Sequence, residues 1–244
     1  MAAPKFIGND CLETLLKLLG LSDDLNGMSD VVFVAIDFEN AQSIWENTSS
    51  KMGCQVGIAI LDTRKIERRR LAATSLYLDN ELDESPSKGA EELITTYNFA
   101  GGPVEYCQRA KVKSSFLFGK TIFIDQSDMR QKIESCLPQE RDIILVGHDL
   151  YHDLKALETL GLNFKVYSPW NAIDTLTIAR KLFPPKSKSS LRGILRKLKC
   201  PYNGLHCAGN DANFTLRAML LLAARACQQT HPETSRILAM IATT

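Results

Sequence analysis

At 244 residues, with 45% hydrophobic and 23% charged side chains and a net charge of +1, the chain has the composition of an ordinary globular protein. That balance excludes a uniformly basic nucleic-acid binder, and the longest strongly apolar stretch, Ala218 to Ala226, is interrupted by Arg225 and too short to cross a bilayer. The seven cysteines (Cys11, Cys54, Cys107, Cys136, Cys200, Cys207 and Cys227) are scattered and form no CxxC pair, which argues against a disulfide framework and a structural zinc site. With no signal-peptide profile in MAAPKFIGND, they are expected to be reduced, mostly buried thiols of an intracellular protein.

One domain is expected over residues 1–244, with a motif-bearing core at about 29–230 and an N-terminal helix over 8–20 whose leucines recur at helical spacing. Val31 to Ile36 is then a continuous apolar run rich in Val and Ile, as in a strand buried on both faces of an α/β sheet. It ends in Asp37 and Glu39, which alternation places on one face. Two ionised carboxylates at an apolar rim repel each other and lose hydration, and a divalent cation is the simplest remedy. The plain alternative is a strand that has reached solvent.

The following NAQSIWENTSSKMG reads as a polar loop before a second strand, QVGIAILDT. Phe38 and Trp45 are the aromatic candidates for contact with a nucleobase, although Trp45 also suits an anchor that packs the loop on the core. RKIERRR (64–70) reads as a solvated basic turn and TSLYLDN as a strand, and residues 71–115 as an insertion or sheet edge. SFLFGKTIFID resumes strand character, and SDMRQKIESCL predicts a helix capped by Ser127 or Asp128 and stopped at Pro138.

DIILVGHDLYHDLKALETLG predicts a buried strand at 143–146, a turn at Gly147-His148 and a helix closing at Gly161. Asp153 shares the inward stripe of Leu150, Leu154 and Leu157, which is expensive for an acid unless it is paired, hydrogen-bonded or metal-bound. FKVYSPW is a short strand, and NAIDTLTIARKLFPP a helix with Asp174 as its N-cap, halted by its prolines. From Arg180 to Lys199 the chain carries eight Lys or Arg and no acid, including Arg192, Arg196 and Lys197. Such a face is either plain solvated surface or a track for phosphates.

The last informative segment, LHCAGNDANFTLRAMLLLAARAC, is apolar all round from Phe214 onward and should form a deeply buried helix with Asp211 in or near its first turn. His206, five positions earlier, would point about 140° away from Asp211 on a continuous helix. The two converge only if His206 lies on a bend, for which Gly204 and Gly209 are available.

Asp37-x-Glu39, Asp153 in GHDLYHD, and His206-x-Ala208-x-x-Asp211 together resemble the three motifs of the DEDDh exonucleases, members of the ribonuclease-H-like superfamily that includes proofreading subunits and ribonuclease T. The segments CQVGIAILDTR, FLFG, SLRGILRKL and HCAGNDANFTLRAMLL look most like fungal DEDDh proteins, including the exonuclease that partners an Argonaute in gene silencing. The resemblance implies a ribonuclease-H-like α/β fold with a central mixed sheet flanked by helices. It also implies Asp37, Glu39, Asp153 and Asp211 as ligands of two Mg²⁺ or Mn²⁺ ions, and His206 as the base that takes a proton from the attacking water. The substrate implied is single-stranded nucleic acid with a free 3′ end, RNA favoured over DNA, degraded to nucleoside 5′-monophosphates. A silencing or RNA-processing protein partner follows from the same likeness, while no membrane association is expected because no apolar stretch is long enough to span a bilayer.

Three positions depart from that pattern: Asn40-Ala41-Gln42 stands for Thr-Thr-Gly, Gln55 for Glu, and His148-Asp149 for His-Asn. The first departure keeps open a catalytically weak module that binds nucleic acid or a protein, and a metal-independent structural domain is the third class.

Overall fold

The structure, a computed structural model, describes residues 10–22, 27–45, 53–78, 93–109, 112, 115–162, 172–184 and 190–243, with backbone alone for 73–78. The expected strand FKVYSPW, the acidic loop 81–92 and most of RAKVK lie outside the described residues.

Strand β1 (Val31–Glu39) has β2 (Cys54–Asp62) antiparallel on one side and β5 (Asp142–Gly147) parallel on the other. Beyond β2 come β3 (Ile94–Gly101), antiparallel to it, and β4 (Ile122–Ile124), parallel to β3; beyond β5 comes β6 (Ile173–Asp174). The mixed sheet therefore runs β4-β3-β2-β1-β5-β6.

The continuous apolar run of β1 serves two cores at once. Val31, Phe33 and Ala35 face a layer built on helix α9 (Ala208–Cys227), together with α1 (Cys11–Leu18), α7 (Thr175–Leu182), α8 (Leu191–Lys197) and α10 (Pro232–Thr243). Val32, Val34, Ile36 and Phe38 face the opposite layer, which holds α5 (Met129–Cys136) and α6 (Tyr151–Thr159). Alternation thus leaves Asp37 and Glu39 on the α9 side, and Phe38 nearly sealed in the other core.

Several local expectations are overturned. Residues 63–78 form one helix, α3 (Thr63–Leu78), instead of a turn and a strand. The basic run is tolerable there because Ile66 is fully buried, Arg70 pairs with Glu67 at 2.7 Å, and Thr63 Oγ1 donates to the Val31 carbonyl at 2.7 Å. β3 lies within the sheet, paired on both sides, and is followed by α4 (Val104–Cys107). Only 122–124 of SFLFGKTIFID is a strand, because Ser115 and Leu117 commit backbone groups to the side chain of Asn210. A 3-10 turn, Gln126–Asp128, leads into α5, whose N-cap Asp128 makes no side-chain cap bond. The loop after β1 contains a short helix, α2 (Gln42–Trp45). Asp174 caps α7 as expected, accepting from the Leu176 N–H at 2.9 Å. The cysteines are free thiols, with Cys107 and Cys136 partly exposed and the others buried.

One close approach fixes where α9 sits. Across the sheet Asp37, Gly57 and Asn98 are register neighbours on β1, β2 and β3, and the start of α9 lies over the glycine between the two side chains. A Cβ at Gly57 would stand 1.9 Å from the Ala208 carbonyl oxygen, so only glycine admits the helix here. Asn98 accepts from the Gly209 N–H at 2.9 Å, and one helical turn later Asn213 donates to Thr96 at 2.9 Å. Gly57→Ala, which would ordinarily favour a strand, is therefore expected to destabilise the protein by about 1–3 kcal/mol, read as a lower urea midpoint.

Candidate active site

The four acids reach the rim of β1 by three routes. Asp37 and Glu39 are carried there by the strand itself. Asp153, in the first turn of α6, accepts from the Phe38 N–H at 2.9 Å and is 8% exposed. The turn before it uses Asp149 in a left-handed conformation (φ 64°), with its N–H held by Asp174 at 3.0 Å. His148 Nδ1 lies 2.9 Å from Thr175 Oγ1, so that ring is engaged below the rim.

Asp211 enters on the first turn of α9, also 8% exposed, and accepts from the His206 N–H at 3.1 Å. His206 lies on the bend before the helix, at φ 70°. Gly204 supports that bend at φ 60°, whereas Gly209 lies inside α9, packed against Asn98 and Phe116. Asn210 locks the loop: it donates to the carbonyls of Gly204 (2.8 Å) and Ser115 (2.7 Å) and accepts from the Leu117 N–H (2.9 Å). The imidazole is left exposed, with Nδ1 3.6 Å from Glu39 Oε1.

The acids are electrostatically strained together. Burial pushes the Asp37 carboxyl well above its ordinary range, and repulsion from Asp153, Asp211 and Glu39 adds to it. Its Oδ2 is out of solvent contact with no hydrogen-bond partner among the described residues. Burial likewise raises Asp153 from 3.8 to about 7, against the lowering effect of the Phe38 N–H, with Asp149 and Glu39 contributing repulsion. Carboxylate oxygens crowded at a buried rim, with Asp37 Oδ2 lacking a hydrogen-bond partner among the described residues, fit hard divalent cations such as Mg²⁺ or Mn²⁺. Glu39, His206 and Asp211 also offer ligand atoms within 4.8 Å of one another.

The nucleic-acid candidates fare unevenly. Arg192 and Arg196 are exposed on α8, with Arg196 Nε donating to Tyr202 at 2.7 Å. Lys197 instead turns its Nζ out of solvent, over the Phe183 ring at 4.9 Å. Phe38 supplies a backbone N–H to Asp153, and its ring belongs to the core. Trp45 stacks on His152 at 6.3 Å and receives Lys155 over its ring at 4.3 Å, which anchors α2 to α6.

Sequence reasoning missed Asn98 and Asn210, and it read Gln55 only as a departure near the ligands. Gln55 accepts from Asn98 at 3.4 Å and hydrogen-bonds the buried Tyr106, so it joins the amide network behind α9. A lone amide in an apolar strand, as at Asn98, was the available signal.

Among known families, residues 32–222 match the one described as DNA polymerase III subunit epsilon-like, C-terminal domain, of DEDDh type. Among curated proteins, none matches the chain. No described helix is long and apolar enough to cross a membrane.

Asp153 holds a proton in the metal-free fold between its unfolded pKa of 3.8 and about 7, so its contribution is stabilising at acid pH and is lost as pH rises through that window. In EDTA, wild type should therefore lose stability relative to Asp153→Asn by a few kcal/mol between those limits, measured by urea unfolding. Mg²⁺ should reverse the loss in wild type alone, since cations compete with these protons.

Proposed function

The chain belongs to the DEDDh exonuclease family, whose match covers more than half of it, and on that premise we propose that it is a metal-dependent 3′→5′ exonuclease of single-stranded nucleic acid, releasing nucleoside 5′-monophosphates. The observation that carries this reading is the convergence of Asp37, Glu39, Asp153, Asp211 and His206 at one strand end, with Asp37 Oδ2 buried and unmet by any hydrogen bond among the described residues.

Asp37, Glu39, Asp153 and Asp211 would hold two Mg²⁺ or Mn²⁺ ions, which when bound neutralise the phosphate and lower the pKa of the attacking water. The protein's own part is positioning. The Phe38 N–H fixes the Asp153 carboxylate, and the His206 N–H fixes that of Asp211. His206 keeps its ring in solvent beside Glu39, where it can take the proton of the water, a role suited to imidazole near neutral pH. Gln55 and Asn98 act behind them, holding the start of α9 to the sheet.

RNA is the substrate we favour, with a silencing or RNA-processing protein as partner. Support for both is the likeness of the β2, FLFG, α8 and α9 segments to fungal proteins of that kind. The exposed Arg192 and Arg196 on α8 would guide the phosphate backbone.

Labelled single-stranded RNA and DNA, with free or blocked 3′ ends, should be degraded only with a free end and only with Mg²⁺ or Mn²⁺, RNA faster. Asp37→Asn and Asp211→Asn should lose at least about a thousandfold in rate while remaining folded, because removing one acid relieves repulsion without opening a cavity. A wild type inert toward both polymers with either ion would make this a binding module. Arg192→Gln with Arg196→Gln should weaken binding and flatten its log–log salt slope by roughly 0.7 per lost contact, similarly for all sequences, with saturated turnover little changed.

A further inference from the structure

The same rim offers a second, incompatible set of ligands. Mg²⁺ seeks oxygen, whereas cations of the Zn²⁺ class accept imidazole readily and bind it together with carboxylates. Glu39, His206 and Asp211 present one imidazole and two carboxylates, with ligand atoms all within 4.8 Å of one another. Two ligands about 2.1 Å from a tetrahedral ion lie roughly 3.4 Å apart. Glu39 Oε1 and His206 Nδ1 already stand at 3.6 Å.

This closeness is built in. The His206 N–H is tied to Asp211, and Asn210 clamps Gly204 to α9 and to the 115–117 segment. The Glu39–His206 pair needs little reorganisation to chelate an ion, and the 63% exposed imidazole leaves a path for that ion from solvent.

We propose that Glu39, His206 and Asp211 form a tridentate site for one cation of the Zn²⁺ class, and that its occupancy switches hydrolysis off. The inhibitory half rests on the exonuclease reading above; the binding half does not. With Nδ1 donated to the ion, the ring carries its remaining proton on Nε2 and has no lone pair with which to take one from water. Glu39 and Asp211 are withdrawn from the productive ions at the same time. Zn²⁺ would thus act as a competitor of Mg²⁺ that captures the base as well as the acids.

The test is calorimetry of the metal-free protein with Zn²⁺ and, separately, Mg²⁺. His206→Asn is the variant of choice because asparagine tolerates the left-handed backbone at this position. Wild type should bind one Zn²⁺ at least about tenfold more tightly than His206→Asn or Glu39→Gln, while His206→Asn leaves Mg²⁺ binding unchanged. On wild type alone, Zn²⁺ should shift the ring nitrogens of the one histidine whose signals vanish in His206→Asn. In nuclease assays, Zn²⁺ should inhibit in competition with Mg²⁺. Unchanged Zn²⁺ affinity in both variants would place the ion elsewhere, for instance on partly exposed thiols such as Cys107 and Cys136, and overturn the site, leaving the exonuclease reading intact. Histidine-dependent Zn²⁺ binding in a protein inert with Mg²⁺ and Mn²⁺ would do the opposite. Binding at His206 without inhibition would overturn the switch.

Discussion

Helix α9 meets the sheet at a place where there is no side chain, and the remainder of the site depends on that contact. Gly57 lets the Ala208 carbonyl descend between Asp37 and Asn98. The amide on one side grips the helix backbone, and the carboxylate on the other meets the charge that the helix brings in its first turn. A larger residue at position 57 would lift Asp211 and the His206 loop away from β1 together. Attraction between the acids cannot do this work, since they repel; apolar burial along α9 and the amide seam of Asn98, Thr96 and Asn213 oppose the repulsion.

Opposite ends of β1 are accordingly treated in opposite ways. At its N-terminal end Asp30, Asp62, Arg64 and Arg141 form a compensated network, with Arg141 reaching Asp30 at 2.6 Å and Asp62 at 3.2 Å. At its C-terminal end Asp153 and Asp211 accept from backbone N–H donors, Glu39 lies beside an imidazole, and the buried Oδ2 of Asp37 has no hydrogen-bond partner among the described residues. Proteins place uncompensated charge where they bind something, because a site already satisfied by its own side chains gains little from a ligand.

What could be read from the sequence was whatever left a periodic or chemical trace. The apolar run ending in Asp37 and Glu39, the acid at Asp153 on an inward helical stripe, and the need for a bend at His206 each violated a local rule in a way that demanded a partner. Helix α3 is hard to read because its many arginines obscure the buried Ile66, and helical pairing such as Arg70 with Glu67 looks the same in a list of letters as a charged turn. Lys197 was read as a surface cation because sequence gives no direction to a long side chain; its contact with Phe183 exists only in three dimensions. Asn98 and Asn210 are single amides, and their importance lies in carbonyls and N–H groups far along the chain.

Those long-range bonds bear on how the protein comes into being. The Phe38–Asp153 bond spans 115 positions and the Asn98–Gly209 bond 111, so the site is assembled from segments that are strangers along the chain. During synthesis β1 and its acids emerge long before α9 does, and until α9 docks nothing fills the space that Gly57 leaves for the Ala208 carbonyl. A partly made chain therefore lacks the completed cluster of acids, whatever ions surround it. Ordering over such distances is slow because loop closure must precede the contacts that reward it, which makes the docking of α9 the step that completes the site.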